Sequence, residues 1–552
     1  MPAKALHIIQ QQVFELSAAS SKNNFVWEER AAAYLHKIIN PVIEACFSNL
    51  VRDDQHLVID KLEIDLGSFS LERFEKEAAA LLQEKLGSVL RSYCSASNNK
   101  ENSYDQDDQP FNASKKIISR RDQEEQARFP KLLKSDQALQ LALLHFLLKG
   151  RFPWWYTTET SNPTDIESLI ETSSYERSGL LDEHFKLLPK QLSEKEIQEL
   201  REALRSSAAA RMRLANHFSA EWLAAFLQSL ELAGEKALQQ WTSLFDSIKS
   251  LHKITPPFHQ YFWMAWTEAA FHGMHTINIT LLIERVAGGY NNEAIELAKR
   301  IHEACYEKRH EAVFAGYLES IRKYFEEGSN YDAFRKKIRD EIVAGENSFT
   351  SKGIEDDPED AIDKALDEIL NSSPEQKKDK KDFGDDNALF IEAAGLVILH
   401  PFLEELFKET GLWDGEKWCD EESVYRSVQL LSWLVYGEAG LPENRLLLFK
   451  ILTGLDVEEP LPATTPLTQQ EINACNELLD AIVRHWKALR NTSIDGLQQG
   501  FLQREGKLSK TEKGYQLAVE RKAQDVLLSH LPWGYSMIRL PWMEQIMNVT
   551  WI

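Results

Sequence analysis

Four side chains in the middle of the chain have the residue types and the approximate spacing of a zinc site. His272 and His275 precede His302 and Cys305, and imidazole nitrogen and thiolate sulfur are ligands that zinc prefers. Histidines three residues apart are also common on the polar face of a helix, and structural zinc sites usually contain closer cysteine pairs. The spacing therefore favours surface histidines on helices, and we predict no metal site.

The nearest approach to a phosphate-binding loop is Gly500–Ser509. Five residues rather than four separate Gly500 from Gly506, and Leu508 stands where a serine or threonine would reach magnesium. Loop length matters because successive backbone N–H groups must converge on one anion. The His-Glu-x-x-His, Gly-x-Ser-x-Gly and Gly-x-Gly-x-x-Gly motifs are absent from the sequence. No cofactor is predicted.

Other reactive side chains have simpler structural explanations. Glu63 and Asp65 share one face of a stretch with period two, where they could act as acid and base or hold a hard cation. The same alternation describes the solvent side of an amphipathic strand. Cys475 lies in the apolar stripe of a predicted helix, which indicates a small core residue rather than a nucleophile. We therefore predict that the protein is not an enzyme.

Composition limits the classes of partner. The chain has 552 residues and a formal charge of -23, so it offers little electrostatic attraction to nucleic acid or to an anionic membrane. Its five cysteines are dispersed, which is typical of a reducing compartment. No apolar run reaches the roughly 20 residues of a membrane span, and no secretory signal is indicated. We expect a cytoplasmic protein without nucleic-acid binding or membrane insertion.

The hydrophobic pattern predicts a mainly α protein with small α+β modules at the N-terminus and a short β-sheet at the C-terminus. The N-terminal order is β-α-β-α: a strand at 7–16, a helix at 27–50 broken at Pro41, a strand at 57–67, and a helix starting near Ser68 or Ser70. In the strand at 57–67, apolar and charged residues alternate up to a closing glycine.

Helix signals are clearest further along the chain. A helix at 139–148 should end at Gly150, before a Pro-Trp-Trp corner. Ser193 and Thr468 each precede a glutamate by three residues, which predicts two capping boxes. After Gly514 the period returns to two, and two short strands should follow, joined across a Pro-Trp corner.

These patterns divide the chain into five segments. The predicted segments are 1–94, the β-α-β-α module; 95–128, a polar linker; 129–344, a helical region with the Pro-Trp-Trp corner; 345–387, an acidic linker; and 388–552, a helical module ending in short strands. The length fits about three or four folded units at roughly 100 to 200 residues each.

Three blocks of the sequence resemble the contractile injection system tape measure protein family. One is Leu62–Gly67, preceded by His7–Ile9, and another is His145–Trp155. The third comprises Ala394–Leu403, Asn491–Ser493, Phe501–Leu508 and the two Leu-Pro-Trp corners near the end. Together the blocks cover the two ends of the chain and one point between them.

The resemblance implies a non-enzymatic assembly component of a bacterial contractile injection system, a phage-tail-like particle. Members are expected to lie within or along the inner tube, anchored near the baseplate hub, and to set the length of tube and sheath. The implied partners are the inner tube and baseplate hub proteins, and a homo-oligomer is left open. The implied location is the cytoplasm during assembly and then the particle.

Tryptophans at predicted corners and strand ends supply candidate contact residues. Each would bury a large area, either in a core, which is the simpler interpretation, or at an interface. The interaction candidates are Trp154, Trp155, Trp533, Trp542, Trp551 and, from the third block, Arg504.

The architecture leaves a second interpretation open. A fully helical chain of this length would reach about 830 Å at 1.5 Å per residue, which suits a ruler. A ruler should also show uniform heptads or repeats, whereas Pro-Trp corners, linkers and strand modules interrupt the helices here. The alternative is a compact adaptor or assembly chaperone of the same kind of particle. A zinc-dependent or other enzyme is the less favoured third class.

Overall fold

The chain is mostly helical with two small sheets, as the sequence predicts. The computed structural model describes residues 9, 12, 34–48, 55–59, 62–67, 71–101, 131–156, 179, 181–232, 235–251, 254–271, 304, 388–489, 492–511 and 514–552. Contacts divide the chain into two compact units: Met1–Ala142 with Pro153–Thr157, and Leu143–Phe152 with Thr158–Ile552.

The first helix of the first unit is not broken at its proline. A π-helical turn, Leu35–Ile39, leads directly into helix α1, Asn40–Ser48. Pro41 therefore lies inside a continuous helical segment, where the π-helical turn passes into α1. The predicted break at Pro41 is wrong for this reason. The predicted strand at 7–16 lies outside the described residues, apart from residues 9 and 12.

The small sheet of the first unit lies earlier than the alternating stretch. Strand β1, Gln55–Val58, pairs antiparallel with β2, Lys131–Lys134. Residues 62–67 have no ladder partner among the described residues, so the strand predicted at 57–67 is correct only at its start. Solvent exposure nevertheless alternates along this stretch: its leucine and isoleucine side chains are half-buried, whereas Glu63 and Asp65 are exposed.

Helix α2, Leu71–Glu101, packs against α1. Their shared core consists of Ile39, Cys46, Leu82, Leu86 and Leu90, with Leu62, Ile64 and Leu66 packed against it. The helix starts close to the predicted N-cap but continues through 95–101, so the first residues of the predicted polar linker are helical. The rest of that linker lies outside the described residues.

Helix α3, Ser135–Lys149, ends where predicted. Gly150 adopts φ +70°, a left-handed conformation that glycine takes at little cost. Its N–H donates to the carbonyl of Phe146 at 2.8 Å, which closes the last turn.

The helical part of the second unit follows the predicted pattern up to Phe271. Its helices are 3-10 Leu188–Lys190, α4 (Glu194–Ser206), α5 (Ala208–His217), α6 (Ala220–Ser229), α7 (Glu235–Leu251) and α8 (Pro256–Phe271). The capping box of Ser193 and Glu196 is confirmed. Ser207 and Ser219 cap the next two helices, since each side chain accepts an N–H of the following first turn. The predicted acidic linker at 345–387 lies outside the described residues.

The C-terminal region surrounds a mixed sheet with helices. The strands are β3 (Leu389–Ile391), β4 (Gly506–Thr511), β5 (Gly514–Val519), β6 (Met537–Ile538) and β7 (Met547–Trp551). Their spatial order is β3-β4-β5-β7-β6, and only β5 and β7 are parallel. Leu389, Leu508, Leu517 and Val549 lie in register across four strands, and all four are buried. The predicted short strands joined across a Pro-Trp corner are β6 and β7.

The helices that cover this sheet include the second predicted capping box. They are 3-10 Ala394–Leu399, α9 (His400–Glu409), α10 (Glu421–Tyr436), 3-10 Glu443–Arg445, α11 (Leu447–Leu452), α12 (Gln469–His485), 3-10 Lys487–Leu489, α13 (Ile494–Leu497), π-helical Gln498–Leu502 and 3-10 Ala523–His530. Thr468 and Glu471 cap α12 reciprocally, as predicted. Among the described helices, none has both the length and the apolar character needed to cross a membrane.

Candidate interaction site

Two of the candidate tryptophans hold the C-terminal corners onto the core. The indole N–H of Trp533 donates to the carbonyl of Ile398 at 2.9 Å, and its ring meets Phe402 edge-on at 4.8 Å. The indole N–H of Trp542 donates to the carbonyl of Leu452 at 2.7 Å. Both rings are half-buried. Each tryptophan therefore fixes a Pro-Trp corner to a helix and leaves one edge at the surface.

The other three tryptophans are also half-buried. The ring of Trp551, at the end of β7, lies 6.1 Å from that of Tyr535. Trp154 and Trp155 belong to the turn after α3, where Trp155 contacts Tyr156 edge-on at 6.3 Å. These two residues are part of the first unit, whereas the other four candidates belong to the second. Partner binding by the five tryptophans stays a prediction.

Arg504 lies in the interior of the second unit, with none of its surface exposed. Its Nη2 is 2.5 Å from Asp525 Oδ1, and its Nε donates to the carbonyl of Gly500 at 2.8 Å. The guanidinium also lies 5.8 Å from the ring centres of Phe501 and Trp551. Arg504 can therefore affect a partner only through the segments that it ties together.

Separate pieces of the third block meet at this point. The N–H of Ala394 donates to the carbonyl of Arg504 at 2.8 Å. A Cβ added to Gly395 would lie 1.7 Å from the carbonyl oxygen of Phe501. Only glycine allows two backbone segments to approach this closely. The 3-10 segment before α9 is thus packed directly on the turn that precedes β4.

A second set of buried charges was not predicted from the sequence. Arg213 on α5, Glu443 in a 3-10 turn and Lys450 on α11 are all fully buried. Nε and Nη2 of Arg213 donate to the Glu443 carboxylate at 3.0 to 3.1 Å, and Lys450 Nζ is 2.5 Å from Glu443 Oε1. We call these three residues the buried ion cluster.

The charge state of the buried ion cluster follows from its geometry. Burial raises the pKa of Glu443, but Lys450 and Arg213 outweigh burial and hold that pKa below its usual value. His217 Nε2 is 4.0 Å from the same carboxylate, and burial lowers the pKa of this imidazole to about 4. One carboxylate therefore faces two cations and a neutral imidazole near pH 7.

Backbone carbonyl groups accept the other hydrogen bonds of the two cations. The acceptors are Leu147 and Glu458 for Arg213, and Val457 and Glu459 for Lys450. Gly150 is pressed against the same site, since an added Cβ would lie 2.2 Å from Glu443 Oε1. The second resemblance block thus supplies both a carbonyl and a close glycine to the cluster. Satisfied donors indicate a structural role rather than a reactive one.

One sequence signal pointed to this cluster. Lys450 lies within the otherwise apolar run Leu446–Leu452, and a lone charge in such a run needs a buried partner. Arg213 and Glu443 carry no comparable local signal.

Cysteines and possible metal ligands in the described part of the chain give little indication of a reactive site. Burial raises the pKa of the Cys475 thiol to about 12, so this residue is a core side chain, as predicted. Within the described ranges, no three His, Cys, Asp or Glu side chains are grouped as metal ligands. The zinc candidates His272, His275, His302 and Cys305 lie outside the described residues.

Comparison with known proteins identifies a family. The model of the contractile injection system tape measure protein family matches residues 6–551. No significant match is found among curated proteins or among solved structures. The matched range includes all three resemblance blocks and the buried ion cluster.

Proposed function

Since the chain belongs to the contractile injection system tape measure protein family, we propose that it is a non-enzymatic assembly component that sets the length of tube and sheath. The match of the family model to nearly the whole chain carries the proposal. The inner tube and baseplate hub proteins are its proposed partners. It acts in the cytoplasm during assembly and then stays within the particle.

The packing of the C-terminal region supports an anchoring role for residues 388–552. A length-setting chain must be held at one end while the tube grows, and the held end must not unfold. Here a single large core includes the sheet and its covering helices, and the buried charges are paired. The corner tryptophans and the surface around them are the proposed contacts with the hub.

A compact adaptor or assembly chaperone is the second candidate. One observation favours it: the longest helices described within the second unit, α7 and α12, have 17 residues. At 1.5 Å per residue such a helix spans only about 26 Å. Short helices around a mixed sheet suit a folded adaptor better than an extended rod.

Removing the gene from the producing bacterium separates the two candidates. If the chain sets length, particles formed without it have absent or irregular tubes, and purified wild-type particles contain the chain at a constant copy number. If the chain is a transient chaperone, purified particles lack it. Electron microscopy measures tube length, and quantitative mass spectrometry measures copy number. Particles of uniform, normal length in the deletion strain would contradict the length-setting proposal.

A further inference from the structure

A surface cleft lies between the start of α9 and the corner that joins β6 to β7. It has a volume of about 370 Å³ and is lined by His400, Pro401, Glu404, Arg539, Leu540 and Pro541. The cleft is shallow and open to solvent, so it can take a side chain but does not enclose a whole ligand. Both walls come from sequence blocks that carry the family resemblance.

Arg539 is the cation of this cleft that is free to bind a ligand. Its side chain is exposed and makes no hydrogen bond or ion pair with the described residues. Glu404 is already engaged, because Lys408 Nζ lies 2.7 Å from its carboxylate. His400 Nδ1 is 2.9 Å from the carbonyl of Val397, and burial lowers the pKa of this ring. A neutral His400 therefore leaves Arg539 as the cation among the residues that line the cleft.

The walls of the cleft are held in place before any ligand arrives. Trp542, next to Pro541, ties the corner wall to the end of α11, and Trp533 donates to the carbonyl of Ile398, just before the α9 wall begins. Pro401 and Pro541 present apolar rings and have no N–H group to desolvate. A preformed site of this kind loses little conformational entropy on binding.

We propose that this cleft receives an acidic side chain from a partner protein of the particle. The carboxylate pairs with the planar guanidinium of Arg539, a geometry that favours two parallel hydrogen bonds. Its aliphatic stem packs on Pro401 and Pro541. Charge complementarity supports an acidic occupant: among the residues that line the cleft, Arg539 is exposed and has no partner among the described residues, whereas the carboxylate of Glu404 is held by Lys408. The identity of the partner as a particle protein rests on the proposed function.

Overlapping peptides from the inner tube and baseplate hub proteins of the same bacterium's particle provide the probe. Full-length protein is titrated against each peptide by fluorescence polarisation. We expect binding by at least one peptide containing Asp or Glu, weakened about tenfold or more when that residue becomes Asn or Gln. Arg539→Glu should cause a loss of similar size, and replacing the acidic residue of the peptide by Lys should restore binding to this variant.

Arg521→Glu is the matched control, because Arg521 is also exposed in the C-terminal region and the charge change is the same. This variant should bind like the wild type, and circular dichroism should show all variants folded. The docking proposal is overturned if no peptide binds, if Arg539→Glu binds normally, or if both variants lose affinity equally. Tube length is a separate readout, so a failure here leaves the length-setting proposal to its own test.

Discussion

The buried ion cluster gives a quantitative prediction for Glu443→Gln. The substitution keeps the shape of the side chain and removes the carboxylate that pairs with Arg213 and Lys450 at 2.5 to 3.1 Å. Arg213 and Lys450 then stay buried without their nearest counter-charge, since none of the three side chains is exposed. Breaking a buried pair in this way costs about 3 to 5 kcal/mol. We expect the free energy of unfolding to fall by that amount.

An exposed ion pair nearby provides the control. Arg445 Nε lies 2.9 Å from Glu392, and these side chains are 32% and 56% exposed. Solvent screens such pairs, so Glu392→Gln should cost less than about 1 kcal/mol. The two substitutions make the same chemical change, and burial distinguishes them.

Urea unfolding of the full-length protein, followed by tryptophan fluorescence, measures the difference. A cycle with Lys450→Met isolates the charge interaction: the double variant should lose about 1 to 3 kcal/mol less than the sum of the single variants. If Glu443→Gln unfolds within 1 kcal/mol of the wild type, or if the two losses simply add, the cluster does not act as a coupled charge network.

Three further outcomes are expected. Gly395→Ala should destabilise the protein by several kcal/mol or prevent folding, because its Cβ would overlap a backbone carbonyl. Gly500→Ala is the control: Gly500 has open space around it, so this variant should be neutral or stabilising by about 0.5 to 1 kcal/mol in thermal unfolding. Burial lowers the pKa of His259 to about 4, so its neutral form stabilises the fold above about pH 6.5, and this contribution is lost as pH falls towards 4. His259→Asn should therefore reduce the stability lost between pH 7 and pH 5 by about 2 kcal/mol in urea titrations at both pH values. Alkylation of the native protein, read by mass spectrometry, should modify exposed Cys419 and spare buried Cys475; equal labelling would contradict the described burial.

Most of the features that the sequence predicts correctly depend on residues that are close together in the chain. Both capping boxes and the glycine end of α3 depend on residues within one helical turn, so sequence spacing is sufficient to find them. The strand expected at 57–67 shows the limit. An alternation of apolar and charged residues indicates which side chains face the core. The pairing of β1 depends on β2, whose residues lie more than 70 positions further along the chain.

The buried charges could not be located in the same way. Arg213 and Glu443 are separated by 230 positions, and neither has a neighbour that marks it as buried. Arg504 is a contact candidate in the sequence because it lies in the third resemblance block, and nothing near it marks it as buried, since its partner Asp525 lies beyond two strands. Long-range pairs of this kind require the tertiary structure.

Tube length measured against chain length tests the central claim most directly. Thirty residues are removed from the predicted acidic linker, which leaves the C-terminal region intact, and particle tubes are measured by cryo-electron microscopy. A length-setting chain shortens the tube by about 45 Å if that segment is helical and by about 100 Å if it is extended. Replacing the same residues with an equally long Gly/Ser sequence should keep the tube closer to the wild-type length than the deletion does, because the number of residues is unchanged. A mean tube length equal to that of the wild type in the deletion strain would contradict the account.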